Sequence, residues 1–314
     1  MKMRFVFLLA LIIGSGLPAQ DAERTLSTGA PPPPFFRNFN WTNFFYKTVN
    51  GKELEIVLFP PAVKKYDRAP FMVYFHGGGW QNGNHGGIFN WPSMQRFLNE
   101  GIACASVQYR LIGSGAETAD DCVTDCKDGV RFLVKNAEQF ELNPQSIGTW
   151  GHSAGGHLCL MVALAPDELF PGDPSLAGTV PQFRCIVPSA APVSFVAPEV
   201  ISFEKQNRVR LERLLSKADG DVEAAARRQS PAEYFTAGAP AVLFIHGDKD
   251  EAVNVINAIY GQEKAAAAGM EAQMLIVTNG THMLKEQGGA LSPVLEEVYR
   301  RTADFIIEKL NPEK

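Results

Sequence analysis

The 314-residue chain has no surplus of positive charge: 29 Lys and Arg stand against 34 Asp and Glu, a net charge of −5. A nucleic-acid partner is not expected, because neutralising phosphates requires a basic face. No apolar run approaches the roughly 20 residues that span a bilayer, so no integral membrane segment is expected in the mature chain. No Gly-x-Gly-x-x-Gly follows an apolar strand, and no Lys-Ser/Thr follows a glycine run. The six histidines and five cysteines show no metal-ligand spacing. Dinucleotide, phosphate-loop and zinc chemistry therefore all lack their signatures, and neither cofactor nor metal is expected. Internal repeats are missing too, which speaks against propellers and solenoids. The cysteines (Cys104, Cys122, Cys126, Cys159, Cys185) are odd in number and scattered over apolar stretches. They read as small buried side chains with at most one disulfide among them.

The N-terminus carries an address. Lys2 and Arg4 precede the apolar run Phe5 to Ile13, followed by small residues up to Ala19. This order is that of a secretory signal over residues 1–19, cleaved after Ala19, and it predicts a secreted or periplasmic protein. Residues 20–44 form a spacer with four consecutive prolines, Pro31 to Pro34, running into an aromatic cluster that includes Phe35, Phe36, Phe39, Trp41 and Phe44. Such rings either dock a terminal arm on the domain or wall a pocket, and docking is the simpler reading.

From residue 45 to 312 strand-like and helix-like stretches alternate. Short, nearly continuous apolar runs occur at 53–59, 71–76, 102–109, 146–151, 184–190, 241–246 and 273–278. Runs of that kind are expected in strands covered on both faces. Helical spacing appears at 92–99, 118–139, 154–165, 253–268 and 293–310, with Thr118 as a cap and Phe140 counted on the apolar stripe of its helix. The alternation predicts an α/β fold: a doubly wound, mostly parallel eight-stranded sheet. Residues 191–235 break the rhythm with a long, charge-rich segment containing Glu204, Lys205, Arg208, Arg210, Glu212 and Arg213. Ligands of such sheets bind beyond the carboxyl ends of the strands, so this insertion is either a small helical lid or a solvated excursion.

Two glycine-rich motifs carry chemistry. Gly151-His152-Ser153-Ala154-Gly155 lies between an apolar strand and an apolar helix. A serine hydroxyl is a poor nucleophile unless it projects toward a base, and a turn sharp enough to present it needs glycine two residues before and two after. His76-Gly77-Gly78-Gly79-Trp80 follows an earlier strand, where three glycines let the backbone pass close to a reacting carbonyl with its N–H groups turned inward. Together with the N–H of Ala154 they can hold an oxyanion. A base and its orienting acid must come from later loops. His246-Gly247-Asp248-Lys249-Asp250 ends one strand and Thr281-His282-Met283 follows the last, giving the chain order serine, acid, histidine. His282 alone among the histidines has an acid-bearing loop beside it. Asp250, placed at the start of a helix with Val253 as anchor, suits the acid better than Asp248 in its tight turn. His76, His152 and His157 read as structural, the last two pointed away from Ser153 by the turn.

These motifs resemble the α/β-hydrolase superfamily. More narrowly, they resemble hormone-sensitive-lipase-like carboxylesterases and bacterial feruloyl- and acetylxylan-esterase-like enzymes. Tyr109-Arg110-Leu111, Asp125-Cys126-Lys127 and the His-Gly-x-x-Asp-x-x-Val pattern ending at Val253 extend the likeness over residues 45–312. The resemblance implies Ser153 as nucleophile, His282 as base and Asp250 as acid. Gly78, Gly79 and Ala154 would be the oxyanion donors, and the substrate a small-molecule or carbohydrate-linked ester. Met283 departs from the family's usual Gly or Ala, and a side chain there would narrow the entrance. His-Gly-Gly-x-Trp is also similar to arylformamidases, which leaves an aryl amide as the alternative bond. A secreted binding protein on an inactive hydrolase fold is the other alternative.

Overall fold

The computed structural model describes residues 39–91, 93–202, 214 and 221–311. The expected leader, its proline spacer and the charged centre of the 191–235 segment lie outside these described residues.

Strand β3 (Ala69–Phe75) is buried along its whole length because its side chains feed two cores at once. Phe71, Val73 and Phe75 point into one core, and Met72 and Tyr74 into the other. This period-two alternation with both faces apolar marks a strand sandwiched between helical layers. The neighbouring strands are β1 (Thr42–Val49), β2 (Lys52–Phe59), β4 (Ala103–Val107), β7 (Leu142–His152), β8 (Phe183–Ser189), β9 (Ala241–Gly247) and β10 (Ala272–Val277). The sheet runs β1-β2-β4-β3-β7-β8-β9-β10. It is parallel from β4 through β10, while β1 and β2 pair antiparallel at one edge. A two-stranded ribbon, β5 (Leu111–Ile112) and β6 (Gly115–Ala116), stands apart. Helices α2 (Ala119–Lys135), α3 (Ala154–Leu164) and α6 (Ile256–Ala267) cover one face. Helices α1 (Met94–Asn99) and α7 (Leu295–Leu310) cover the other. The expected mostly parallel eight-stranded α/β sheet is present.

Three sequence expectations need correction. The boundary after residue 44 cuts through β1: Asn50 and Gly51, at φ 51° and 76°, form the two-residue hairpin that pairs β1 with β2. The aromatic cluster is thus partly an edge strand. Phe44 packs on Phe140 at 4.5 Å between ring centres, and the Tyr46 hydroxyl donates to the Gln108 carbonyl at 2.6 Å. Phe140 itself lies past the end of α2, in the turn before β7. The helix after β9 starts at Ile256, not at Asp250.

The described residues of 191–235 contribute α4 (Pro198–Ile201), α5 (Val222–Arg228) and a 3-10 turn. The ends of this segment are sewn to each other. The Phe195 N–H donates to Ser230 Oγ at 2.8 Å, and the Ala232 N–H to the Val193 carbonyl at 3.0 Å. The residues that suggested a charged lid lie outside the described ones, and the described ends are built into the domain.

All five cysteines are buried and free, so the packing role holds and no disulfide forms among them. A buried ionic network ties the antiparallel edge to α2. Lys47 Nζ lies 2.8 Å from Asp125 and 2.7 Å from Asp128, and Arg110 Nε meets Asp125 at 2.7 Å.

Candidate active site

Four loops leave the carboxyl ends of β3, β7, β9 and β10, and parallel pairing brings those ends to one edge of the sheet. The β7–α3 turn holds Ser153 at φ 57° and ψ −122°, a strained conformation for any residue with a side chain. The Ser153 N–H donates to the Ser189 carbonyl at 2.8 Å, and its carbonyl accepts the first helical bond from His157 at 3.0 Å. A Cβ on Gly151 would stand 2.2 Å from the Gly155 carbonyl oxygen, and one on Gly155 2.0 Å from the Phe75 carbonyl oxygen. Only glycine fits at either position, which is why the serine must be bracketed two residues on each side.

The glycine loop after β3 presses on this turn. A Cβ on Gly77 would lie 2.7 Å from the His152 carbonyl oxygen and 3.4 Å from Ser153 Cβ. Gly78 and Gly79, at φ 121° and 62°, are exposed between the buried His76 and Trp80. Only glycine takes such angles freely, and the flanks stay anchored, while the Gly78 carbonyl accepts the Gln81 and Asn82 N–H groups at 3.2 and 3.0 Å within the loop. On one flank His76 stacks on Tyr109 at 4.2 Å between ring centres, and the Tyr109 hydroxyl donates to the His76 carbonyl at 2.8 Å. Burial pushes the His76 pKa down to about 4, so the ring is neutral and structural.

His282 Nδ1 lies 2.7 Å from Asp250 Oδ2. The other oxygen, Oδ1, accepts the N–H groups of Ala252 and Val253 at 2.8 and 2.9 Å. His246 Nε2 sits 3.1 Å from Oδ2 and 2.8 Å from the Val253 carbonyl. Burial alone would raise the Asp250 pKa. Hydrogen bonds from His246, His282 and the Val253 N–H outweigh it and hold the carboxyl well below the usual carboxylate range. Val253 does anchor Asp250, but through a turn that the carboxylate itself caps. Asp248 is turned elsewhere and accepts the Asn279 N–H at 2.7 Å. A Cβ on Gly247 would meet the Gly280 carbonyl oxygen at 2.1 Å, so the β9 and β10 loops touch at this glycine.

The ring of His282 lies 4.7 Å from that of His152, the residue immediately before Ser153. This juxtaposition brings the acid–histidine pair to the serine turn, with the His152 ring packed against His282. His152 is kept neutral by burial and by its neighbour His282, which push its pKa down to about 4. His157 is structural as expected, and Met283 projects outward with 63% of its surface exposed. Three residues around the site escaped the sequence reading as supports of loops: Tyr109, Trp80 and His246. All three were visible inside quoted motifs, but as supports they act through contacts that no motif states.

A half-buried serine on a strained turn, an imidazole fixed by a carboxylate and an exposed glycine loop are together suited to activate a hydroxyl and hold developing negative charge.

A family model described as BD-FAE matches residues 56–264, about two thirds of the chain. Among curated relatives, the probable carboxylic ester hydrolase LipM of Mycobacterium tuberculosis is 27% identical over 189 residues, covering 60% of this chain and 42% of that protein. Esterase LipQ of the same organism is 27% identical over 191 residues, covering 59% and 43% respectively. The chain thus spans somewhat over two fifths of the length of these relatives. Among solved structures, the apo form of Thermogutta terrifontis esterase 2 superposes with a TM-score of 0.70 at 26% identity, covering 86% of this chain and 96% of that one.

Proposed function

The chain belongs to the BD-FAE family, and from that membership and the site's geometry we propose that it is a serine carboxylesterase. The observation that carries this reading is the 2.7 Å contact of His282 Nδ1 with Asp250, held beside the serine turn. An ionised Asp250 can only accept a hydrogen bond, so Nδ1 carries the proton and the Nε2 lone pair of His282 is free. In the proposed reaction Nε2 takes the Ser153 proton as the hydroxyl oxygen attacks the ester carbonyl. Main-chain N–H groups of Gly78, Gly79 and Ala154 receive the oxyanion, and the alcohol leaves with the proton from His282. Water, deprotonated by the same imidazole, then attacks the acyl-enzyme and releases the acid. Asp250 holds the tautomer and favours the imidazolium without taking the proton. No metal or organic cofactor enters this scheme.

The natural substrate is read as a small or carbohydrate-linked acyl ester, supported by the family and by the expected export of the protein to the periplasm or medium. A fluorophosphonate probe should label the wild-type chain and not Ser153→Ala, and p-nitrophenyl butyrate should be cleaved faster than formanilide. Equal labelling of both proteins would remove Ser153 from the mechanism. Much faster formanilide turnover would reassign the enzyme to amide bonds.

A further inference from the structure

The oxyanion loop carries a conformational burden that its glycines do not fully explain. Gly78, Gly79 and Trp80 are three consecutive residues at positive φ (121°, 62° and 60°). Glycine adopts such angles freely, but a bulky tryptophan does not: the Gln81 and Asn82 N–H groups close the turn on the Gly78 carbonyl at 3.2 and 3.0 Å, and the strain left at Trp80 calls for a further tie outside the loop. The structure supplies it. The indole is buried, and its Nε1–H donates to His157 Nδ1 at 3.3 Å across an edge-to-face contact of 5.3 Å between ring centres. Phe195 closes the box, 6.4 Å from the indole and 5.6 Å from the His157 ring. The Trp80 carbonyl accepts the Ile112 N–H at 2.9 Å, a second tie on the same residue.

The proton inventory fixes the state of His157. An indole nitrogen can only donate, so Nδ1 must be the acceptor and Nε2 must carry the proton. That proton points at the Gln229 carbonyl, 2.8 Å away. The Gln229 side chain is held in turn by Asp120 at the start of α2. His157 is fully buried on α3, one turn beyond Ser153, and burial pushes its pKa down to about 4, so the neutral tautomer persists across ordinary pH.

We propose that His157 is a positioning residue of the oxyanion hole: it holds Trp80 by the indole N–H and so sets the main chain at Gly78 and Gly79 relative to Ser153. The serine turn and the donor loop are then registered to each other by a side-chain bond as well as by the backbone contact at Gly77. The inference rests on the esterase reading and adds to it the residue that places the donors. His157 touches neither substrate nor reacting atoms, so its effect should appear in kcat with little change in KM, because a shifted donor loop weakens transition-state binding selectively.

Two near-isosteric variants separate the role from mere packing. In His157→Asn the amide oxygen takes the place of Nδ1 and still accepts from Trp80, while the bond to Gln229 is lost. In His157→Gln the amide nitrogen takes the place of Nε2 and still donates to Gln229, while the bond from Trp80 is lost. Measured with p-nitrophenyl butyrate and with the rate of fluorophosphonate labelling, His157→Gln should lose on the order of tenfold or more in kcat at nearly constant KM. His157→Asn should stay within about threefold of wild type even though both variants melt below it. Trp80→Phe should reproduce the loss, and the double variant with His157→Gln should add little to it. Equal losses in the Asn and Gln variants, losses that follow their melting temperatures, or full activity in His157→Gln would each overturn the inference. A wild-type protein that neither turns over ester nor labels would bring down the esterase reading instead.

Discussion

Replacing Asp250 by Asn tests the core of the mechanism, and the structure says how the substitution must sit. Oδ1 accepts two main-chain N–H groups, from Ala252 and Val253. The amide oxygen has to keep that place, which turns the NH2 group toward His282 Nδ1 and His246 Nε2. His246 can fall back on the Val253 carbonyl at 2.8 Å. Among the described residues His282 Nδ1 has no such second acceptor, so it must shed its proton and accept from the amide. The proton then resides on Nε2, the atom that has to take the proton from Ser153. An enforced wrong tautomer in a serine triad lowers kcat by about 10⁴, equivalent to roughly 5.5 kcal/mol of transition-state stabilisation. Folding should survive, because the cap on the 250–253 turn is retained. Asp248→Asn is the matched control: its oxygen needs only to accept the Asn279 N–H, so activity should stay within about threefold. Steady-state hydrolysis of p-nitrophenyl butyrate near pH 8, with thermal melts alongside, reads both variants. An Asp250→Asn enzyme keeping a tenth of wild-type kcat, or an Asp248→Asn enzyme losing as much as it, would refute the assignment of the acid.

Stability should fall on acidification through the histidines buried in neutral form. His76 and His157 have folded pKa values of about 4 against 6.5 when free, both lowered chiefly by burial. The unfolded chain therefore binds protons that the folded one refuses; their contribution is fully present above about pH 6.5 and is lost as pH drops toward 4. The limit is about 3 kcal/mol for each, and melting temperatures that stayed flat between about pH 7 and 4.5 would contradict it. Export is the other expectation, and N-terminal sequencing of protein recovered from the periplasm or medium should begin at Gln20, just past the small-residue site. A mature chain that still carried Lys2 and Arg4 would overturn that reading.

Much of the site was legible because its requirements are local. Gly151 and Gly155 flank Ser153 since a Cβ at either would strike a carbonyl oxygen within 2.2 Å, and that constraint writes itself as a five-residue pattern. The strands of the parallel core were legible for a similar reason, because burial on both faces leaves a continuous apolar run. Strand β1 was harder. It lies at the sheet edge, with Phe45 exposed and Tyr46 buried, so its pattern resembles an aromatic arm. The Asn50-Gly51 pair was the readable clue, since two consecutive positive φ angles are what a tight hairpin demands.

The chain itself determined which residue types stand at the ends of which strands, and through them the chemistry available: a serine turn, a donor loop, an acid and a histidine in order. Those are properties of short segments, where φ, side-chain period and steric fit act over a few residues. Only the folded structure decided that Tyr109 stacks on His76, that His152 lies against His282, and that Trp80 leans on His157. Each of these depends on loops separated by tens of residues arriving at one rim of the sheet. Such contacts are made by side-chain direction and packing in space, and no local pattern carries them.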